Sequence, residues 1–301
     1  MEELLLQAAT ATCNAAVLSL ILWRQQATPS ANSGKHVTWY CLSLCAVNVV
    51  WSVPALVTSI VRQFVTTTTT TTTTTVCAVE GFLTTLGWLA TLALCTSMSY
   101  YANRVLERAE RPSGRSVLAS IGAGLGLAVL LASLPVAESS WAEGSDGRCT
   151  LLSSQASVSN GVTMALVIFV FGCLCMTTLS HVRMYRYAAT EHRRIGNMDE
   201  DDEEHSAGSV QLADMKQLAA YGNHIMPPLV VLSRARVFVL LGLTLWLWIG
   251  FGLVLFVSVY HLETSASDLP LAVYHAARLL AMLQSVVNPI AYSVLWLRWF
   301  T

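Results

Sequence analysis

The sequence predicts an all-α membrane protein, a single seven-transmembrane helix bundle with its N-terminus outside and its C-terminus cytoplasmic. Three observations carry that prediction. The 301 residues are 54% hydrophobic and only 12% charged, about half the ~25% charged content of soluble domains, and the mean hydropathy is +0.55. The apolar residues gather into seven stretches, each long enough for the roughly 20 residues that a crossing needs. The basic residues gather at one side of those stretches.

The expected spans lie near 4–23, 37–61, 78–101, 116–136, 157–182, 237–259 and 269–297. The first follows Met1-Glu2-Glu3, which is acidic where a signal peptide is basic, so the first helix itself should direct insertion. Between the second and third lies a run of threonines at 66–75. Low-complexity threonine builds no packed core, so an outer loop is expected there. The fourth contains Gly122-x-x-x-Gly126, a spacing that lets helices approach closely. After the fifth comes the longest connection, residues 183–236. It carries Asp199-Glu200-Asp201-Asp202-Glu203-Glu204 between basic turns, and adjacent acids repel, so a partly disordered inner loop is expected. The seventh contains LLAMLQSVVNPIAYSVLW, with a proline inside the span.

Lys and Arg set the orientation, because they are retained on the cytoplasmic side. Arg24 and Lys35 fall in the first inner loop, and Arg104, Arg108, Arg111 and Arg115 in the second. Arg183, Arg186, Arg193, Arg194, Lys216, Arg234 and Arg236 fall in the third, with Arg298 in the tail. Only Arg62 and Arg148 lie in outer loops, and Arg278 lies within the seventh span. Glu2, Glu3, Glu80, Glu138, Glu143, Asp146, Glu263 and Asp268 make the outer face acidic.

Of eight cysteines, Cys13, Cys41, Cys45, Cys95, Cys173 and Cys175 fall within spans and should behave as small apolar residues. Cys77 caps the outer end of the third helix and Cys149 sits in the second outer loop. Both face the oxidising side, where a disulfide persists; two free thiols are the alternative. Nothing has the spacing of a structural zinc site, and no metal or cofactor is expected.

The seventh span reads as a switch. Pro289 frees a carbonyl and weakens the helix locally. Asn288 supplies a side chain to satisfy the freed groups, and Tyr292 places a phenol one turn on. His275, Arg278, Met282, Ser285, Pro289 and Tyr292 recur at three- and four-residue steps, so they share one stripe. An arginine within a span costs about 2.5–3.5 kcal/mol on insertion scales and must face protein or water. Arg278 should therefore point inward, about 16 Å nearer the outside than Pro289. There it meets either an acidic group of a ligand or a structural partner, for which Glu80 is the candidate.

Asn288-Pro-Ile-Ala-Tyr292 resembles the Asn-Pro-x-x-Tyr element of rhodopsin-like G-protein-coupled receptors. Asn14-Ala-Ala-Val17 resembles their helix-one Asn-x-x-Val, and Leu44-Cys-Ala-Val-Asn48 their helix-two Leu-Ala-x-x-Asp, with Asn48 in place of the acid. Trp248-Ile-Gly250-Phe251 resembles their helix-six Trp-x-Pro-Phe, with glycine for proline. A second resemblance is to cAMP-receptor-like receptors, through Cys77-Ala-Val-Glu80-Gly81-Phe82 and Gln284-Ser285-x-x-Asn288. These resemblances imply a receptor that passes a signal from an extracellular small molecule or peptide to a heterotrimeric G protein. They also imply that Asn14, Asn48 and Asn288 meet in the core. Trp248, Gly250, Asn288, Pro289 and Tyr292 would then form the switch, and Arg278, His275, Glu80 and Trp248 the ligand site. The Asp/Glu-Arg-Tyr element is missing: Ser99-Tyr100-Tyr101-Ala102-Asn103-Arg104 stands there.

Other classes fit less well. A retinal-binding protein needs a lysine in the seventh helix, and the only lysines are Lys35 and Lys216. A metal-dependent lipid hydrolase needs clustered histidines and acids in the membrane, whereas only His275 is expected well inside a span. No Gly-x-Ser-x-Gly, His-Glu-x-x-His or phosphate-loop motif occurs, so no enzyme is expected. No nucleic-acid partner is expected either; the lipid bilayer is the surrounding medium, and the plasma membrane the expected location. A small-solute transporter stays open as the alternative; it would be built from internal repeats and broken helices.

Overall fold

The structure, a computed structural model, describes residues 2–27, 35–65, 70–108, 113–137, 159–204, 234–263 and 269–297. Seven helices fill them: α1 (Glu2–Ala27), α2 (Lys35–Val65), α3 (Thr70–Arg108), α4 (Gly114–Ala137), α5 (Asn160–Glu204), α6 (Arg234–Glu263) and α7 (Leu271–Leu297). All seven are long and apolar enough to cross a membrane. Below, "inner" denotes the end that bears the basic connections.

Local chemistry sets several helix starts. Ser113 precedes α4, and its hydroxyl accepts from the Ser116 amide at 3.3 Å. Ser159 does the same for α5, accepting from the Val162 amide at 3.4 Å. These are N-caps that satisfy otherwise orphaned donors. Pro270 opens α7, where its missing amide costs nothing. Within the apolar helices, Thr10, Ser19, Thr178 and Ser258 return their hydroxyl protons to the carbonyl four residues back. That pairing leaves no free donor facing lipid.

Two helices run further than their apolar stretches. Thr70–Thr75 form the opening turns of α3, and α5 continues through the acidic run to Glu204. A loop was expected at both places. A helix already nucleated in the membrane gains a hydrogen bond for each residue added, and glutamate is a good helix former. Residues 66–69 and 205–233 of those expected loops lie outside the described residues.

The helices close a ring. α1 packs on α2 and α7, α5 on α6, and α6 on α7. α3 packs on α2, α4, α5 and α7, and more of its span is buried than of any other. Two apolar cores fill the ring. The inner one gathers Tyr40, Leu44, Leu94, Met98, Tyr101, Leu240 and Tyr292. The outer one gathers Trp88, Leu92, Leu131, Leu166, Leu247, Phe251 and Tyr274. Polar side chains that enter this interior need partners there, and those partners define the site.

Candidate functional site

Pro289 has no amide to offer the carbonyl four residues back, so Ser285 loses its helical donor. Asn14 of α1 replaces it: its Nδ2 donates to the Ser285 carbonyl at 3.0 Å, and also to Thr10 of its own helix at 2.8 Å. The sequence reading gave this role to Asn288. A helical side chain leans back toward the preceding turn, and Asn288 accordingly donates to Gln284 Oε1 at 2.9 Å.

Gln284 then crosses to α6, where its Nε2 donates to the Trp246 carbonyl at 2.8 Å. Residue 250 stands one turn beyond that carbonyl, and as glycine it leaves the carbonyl open. A Cβ on Gly250 would overlap the Gln284 side chain. Gly250 is therefore a notch that receives α7.

Asn48 serves the α2–α3 seam. Its Oδ1 accepts from Trp51 Nε1 at 2.9 Å and from the Thr91 hydroxyl at 3.0 Å, while its Nδ2 donates to Leu44. Trp51 lies on Gly87, where a Cβ would overlap the indole. Asn14, Asn48 and Asn288 are all buried, yet each finds its own partners, and no bond joins two of them among the described residues. Carbonyls one turn back are already in reach and cost no extra ordering. Asn14 Oδ1, Asn288 Oδ1 and Ser285 Oγ are left without a hydrogen-bond partner.

Further toward the inner end, four helices meet through one polar side chain each. Tyr292 Oη of α7 lies 3.3 Å from Ser99 Oγ of α3. Ser99 Oγ lies 3.0 Å from His181 Nε2 of α5. His181 Nδ1 lies 2.6 Å from Thr244 Oγ1 of α6. All are buried except Thr244, which is half-buried. His181 was expected at a span end; only 2% of it is exposed, because α5 continues well past it. The signal was present in spacing. Thr178 and His181 lie three residues apart on α5, and Thr244 and Trp248 four apart on α6, so each pair shares one face.

Those two faces meet twice. Besides the His181–Thr244 contact, Trp248 Nε1 donates to Thr178 Oγ1 at 2.9 Å, and its ring meets Phe171 of α5 edge-on. Trp248 is thus turned toward α5. The aromatic ring that fills the interior beside it is Phe251, fully buried against Trp88 of α3.

The outer half differs in kind. Arg278 of α7 is buried, and its Nη2 lies 2.8 Å from Nδ1 of half-buried His275. Glu80 of α3 is buried as well, rather than exposed at the outer face, and accepts a 3.4 Å hydrogen bond from Ser59 of α2. Three helices thus bring ionisable and hydroxyl groups into the outer interior. Cys77, one turn before Glu80, is disulfide-bonded; Cys149 lies outside the described residues. Among the described residues no histidine, cysteine and carboxylate group is arranged to hold a metal.

Comparison with known proteins agrees with this architecture. The family model of seven-transmembrane receptors of the rhodopsin family matches residues 13–292. Squid rhodopsin is a similar solved structure, with a TM-score of 0.68 at 14% identity over 96% of this chain and 74% of that one. No curated protein sequence matches. Between the two subfamily resemblances in the sequence, the match favours the rhodopsin-like one.

Proposed function

The chain belongs to the rhodopsin family of seven-transmembrane receptors, and from that premise we propose how this G-protein-coupled receptor carries a signal. One observation supports the reading above others. α7 bears Arg278 in the outer half and, on the same helix, the groups that reach α1, α6 and α3: the Ser285 carbonyl, Gln284 and Tyr292. A ligand that engages the outer part of α7 acts on the helix that the inner contacts hold in place.

The ligand site of this reading is Arg278, His275 and Glu80, reached from outside, with Arg278 meeting an acidic group of the ligand. The switch is Asn14, Gln284, Asn288, Pro289 and Tyr292, with Gly250 as the notch. The ligand shifts the two arrangements by no more than its differential affinity for them. The partner at the inner end is a heterotrimeric G protein, and the location is the plasma membrane. The disulfide of Cys77 closes on Cys149, the one remaining cysteine once the six free thiols are set aside.

The test is G-protein activation in cells by wild type, Asn288→Ala and Tyr292→Phe at matched surface expression. Altered basal activity in both variants supports the reading. Solute accumulation with no signalling from any of the three overturns it in favour of a transporter. For the ligand site, Arg278→Gln should abolish the response to an activating ligand with expression intact; unchanged potency refutes that role.

A further inference from the structure

The inner contacts of Tyr292, Ser99, His181 and Thr244 have a direction that the distances alone do not state. Thr244 Oγ1 donates its proton to the Leu240 carbonyl at 2.9 Å. With that proton so used, its oxygen accepts from His181 Nδ1. In a neutral imidazole Nε2 is then an acceptor, and the Ser99 hydroxyl donates to it. Ser99, its one proton used, accepts in turn from the Tyr292 hydroxyl. With a neutral imidazole the chain therefore runs one way, from Tyr292 through Ser99 and His181 to Thr244 and the α6 backbone.

We propose that this one-way chain is a neutral latch, with His181 as its central positioning residue, that keeps the inner ends of α3, α5, α6 and α7 together. Three facts carry it. The four side chains come from four different helices, so no helix among them can leave without breaking a contact. The chain has one contact per step, so losing the imidazole breaks it between α3 and α6, leaving the Trp248–Thr178 and Gln284–Trp246 bonds to hold α6 to α5 and α7. The inner end of α3 lacks the Asp/Glu-Arg-Tyr element, because Tyr101, Ala102 and Asn103 precede Arg104. A neutral imidazole suits such a latch, since it offers one donor and one acceptor on opposite sides of a rigid ring. It therefore spans two helices without a buried charge.

The inference borrows from the receptor reading only that the inner ends part. Its test needs no ligand and no G protein. The full chain in lipid nanodiscs is spin-labelled at cysteines replacing Arg115 on α4 and Phe238 on α6, both exposed near the inner end. Electron–electron distances then report the population in which α6 has moved outward. His181→Phe keeps the ring and removes both contacts; the outward population should rise about tenfold, at about threefold per interhelical bond lost. His181→Gln keeps one donor and one acceptor and should stay within about threefold of wild type. His181→Lys offers donors only and should behave as His181→Phe.

Should His181→Phe fail to fold, Ser99→Ala and Thr244→Val each cut the chain at one step, and each should raise the outward population about threefold. Distances unchanged in His181→Phe, or in both single-step variants, overturn the latch. So does an equal opening in His181→Gln and His181→Phe, because bulk rather than hydrogen-bond direction would then decide the outcome. In each case the receptor reading stands, since the measurement involves no signalling.

Discussion

The two halves of this bundle solve the problem of buried polarity with opposite chemistry. The outer half buries ionisable groups, Glu80 and Arg278, beside a disulfide at Cys77. The inner half buries hydroxyls, amides and one imidazole, joined across helices by single contacts. A charge at the centre of a span costs about 2.5–3.5 kcal/mol on insertion scales, so its surroundings are held to it strongly. A neutral interhelical hydrogen bond in a membrane protein averages about 0.6 kcal/mol. On the proposed reading, such a receptor is firm in the half assigned to the ligand and close to balance in the half assigned to the switch. A ligand worth a few kcal/mol in differential affinity would then suffice to overcome several inner contacts and leave the outer frame intact.

Four substitutions would break or sharpen that contrast, in descending order of effect. Cys77→Ser removes the covalent tie of the outer half and should destabilise the protein by about 2–5 kcal/mol, read as a fall in Tm in detergent. An unchanged Tm would remove the claim that the outer half is the firmer one.

Gly250→Ala should cost about 1–3 kcal/mol through overpacking, because the new methyl displaces Gln284 from α6. The same change in a Gln284→Ala background should cost much less, and thermal melts of the four proteins in that cycle would measure the coupling.

Asn14→Ala strands the Ser285 carbonyl and should cost about 1–3 kcal/mol. Pro289→Ala restores an amide that can serve that carbonyl, so the cost should shrink in the double variant. Equal costs in both backgrounds would show that Asn14 acts elsewhere.

Trp248→Phe removes one neutral bond to Thr178 and should cost only about 0.6 kcal/mol. A loss several times larger would show that the inner half is not built from weak contacts.

The fold was legible because its cause is written locally. Apolar length gives the spans, and proline, serine caps and basic clusters mark their limits. The positions of Arg278 and Tyr292 inside the bundle followed from helical spacing along one segment. Pairing between segments did not follow, because spacing fixes a face but not what it meets. Hence Pro289 was correctly read as freeing a carbonyl, while the donor came from Asn14, 275 positions away in the chain, rather than from adjacent Asn288. Gly250 was read only from its likeness to a proline site, and nothing local to it pointed to Gln284 of another helix. His181 was discounted because the end of α5 was placed too early. A helix that outlasts its apolar stretch leaves no hydropathy signal.

That longer helix has an electrostatic consequence. At about 1.5 Å per residue, the 45 residues of α5 make a rod of about 68 Å, against a hydrocarbon layer of about 30 Å. Exposed Arg183 and Arg186 lie on it near the inner end of the span, where anionic headgroups attract basic side chains. The acidic run begins at Asp199, about 20 Å further along the axis from Arg186. At physiological ionic strength charges are screened over about 8 Å. Arg193 and Arg194 stand between, within about one screening length of Asp199 along the axis. The acids therefore share their surroundings with that second basic pair, while Arg183 and Arg186 lie more than two screening lengths from them, where they can meet the lipid surface.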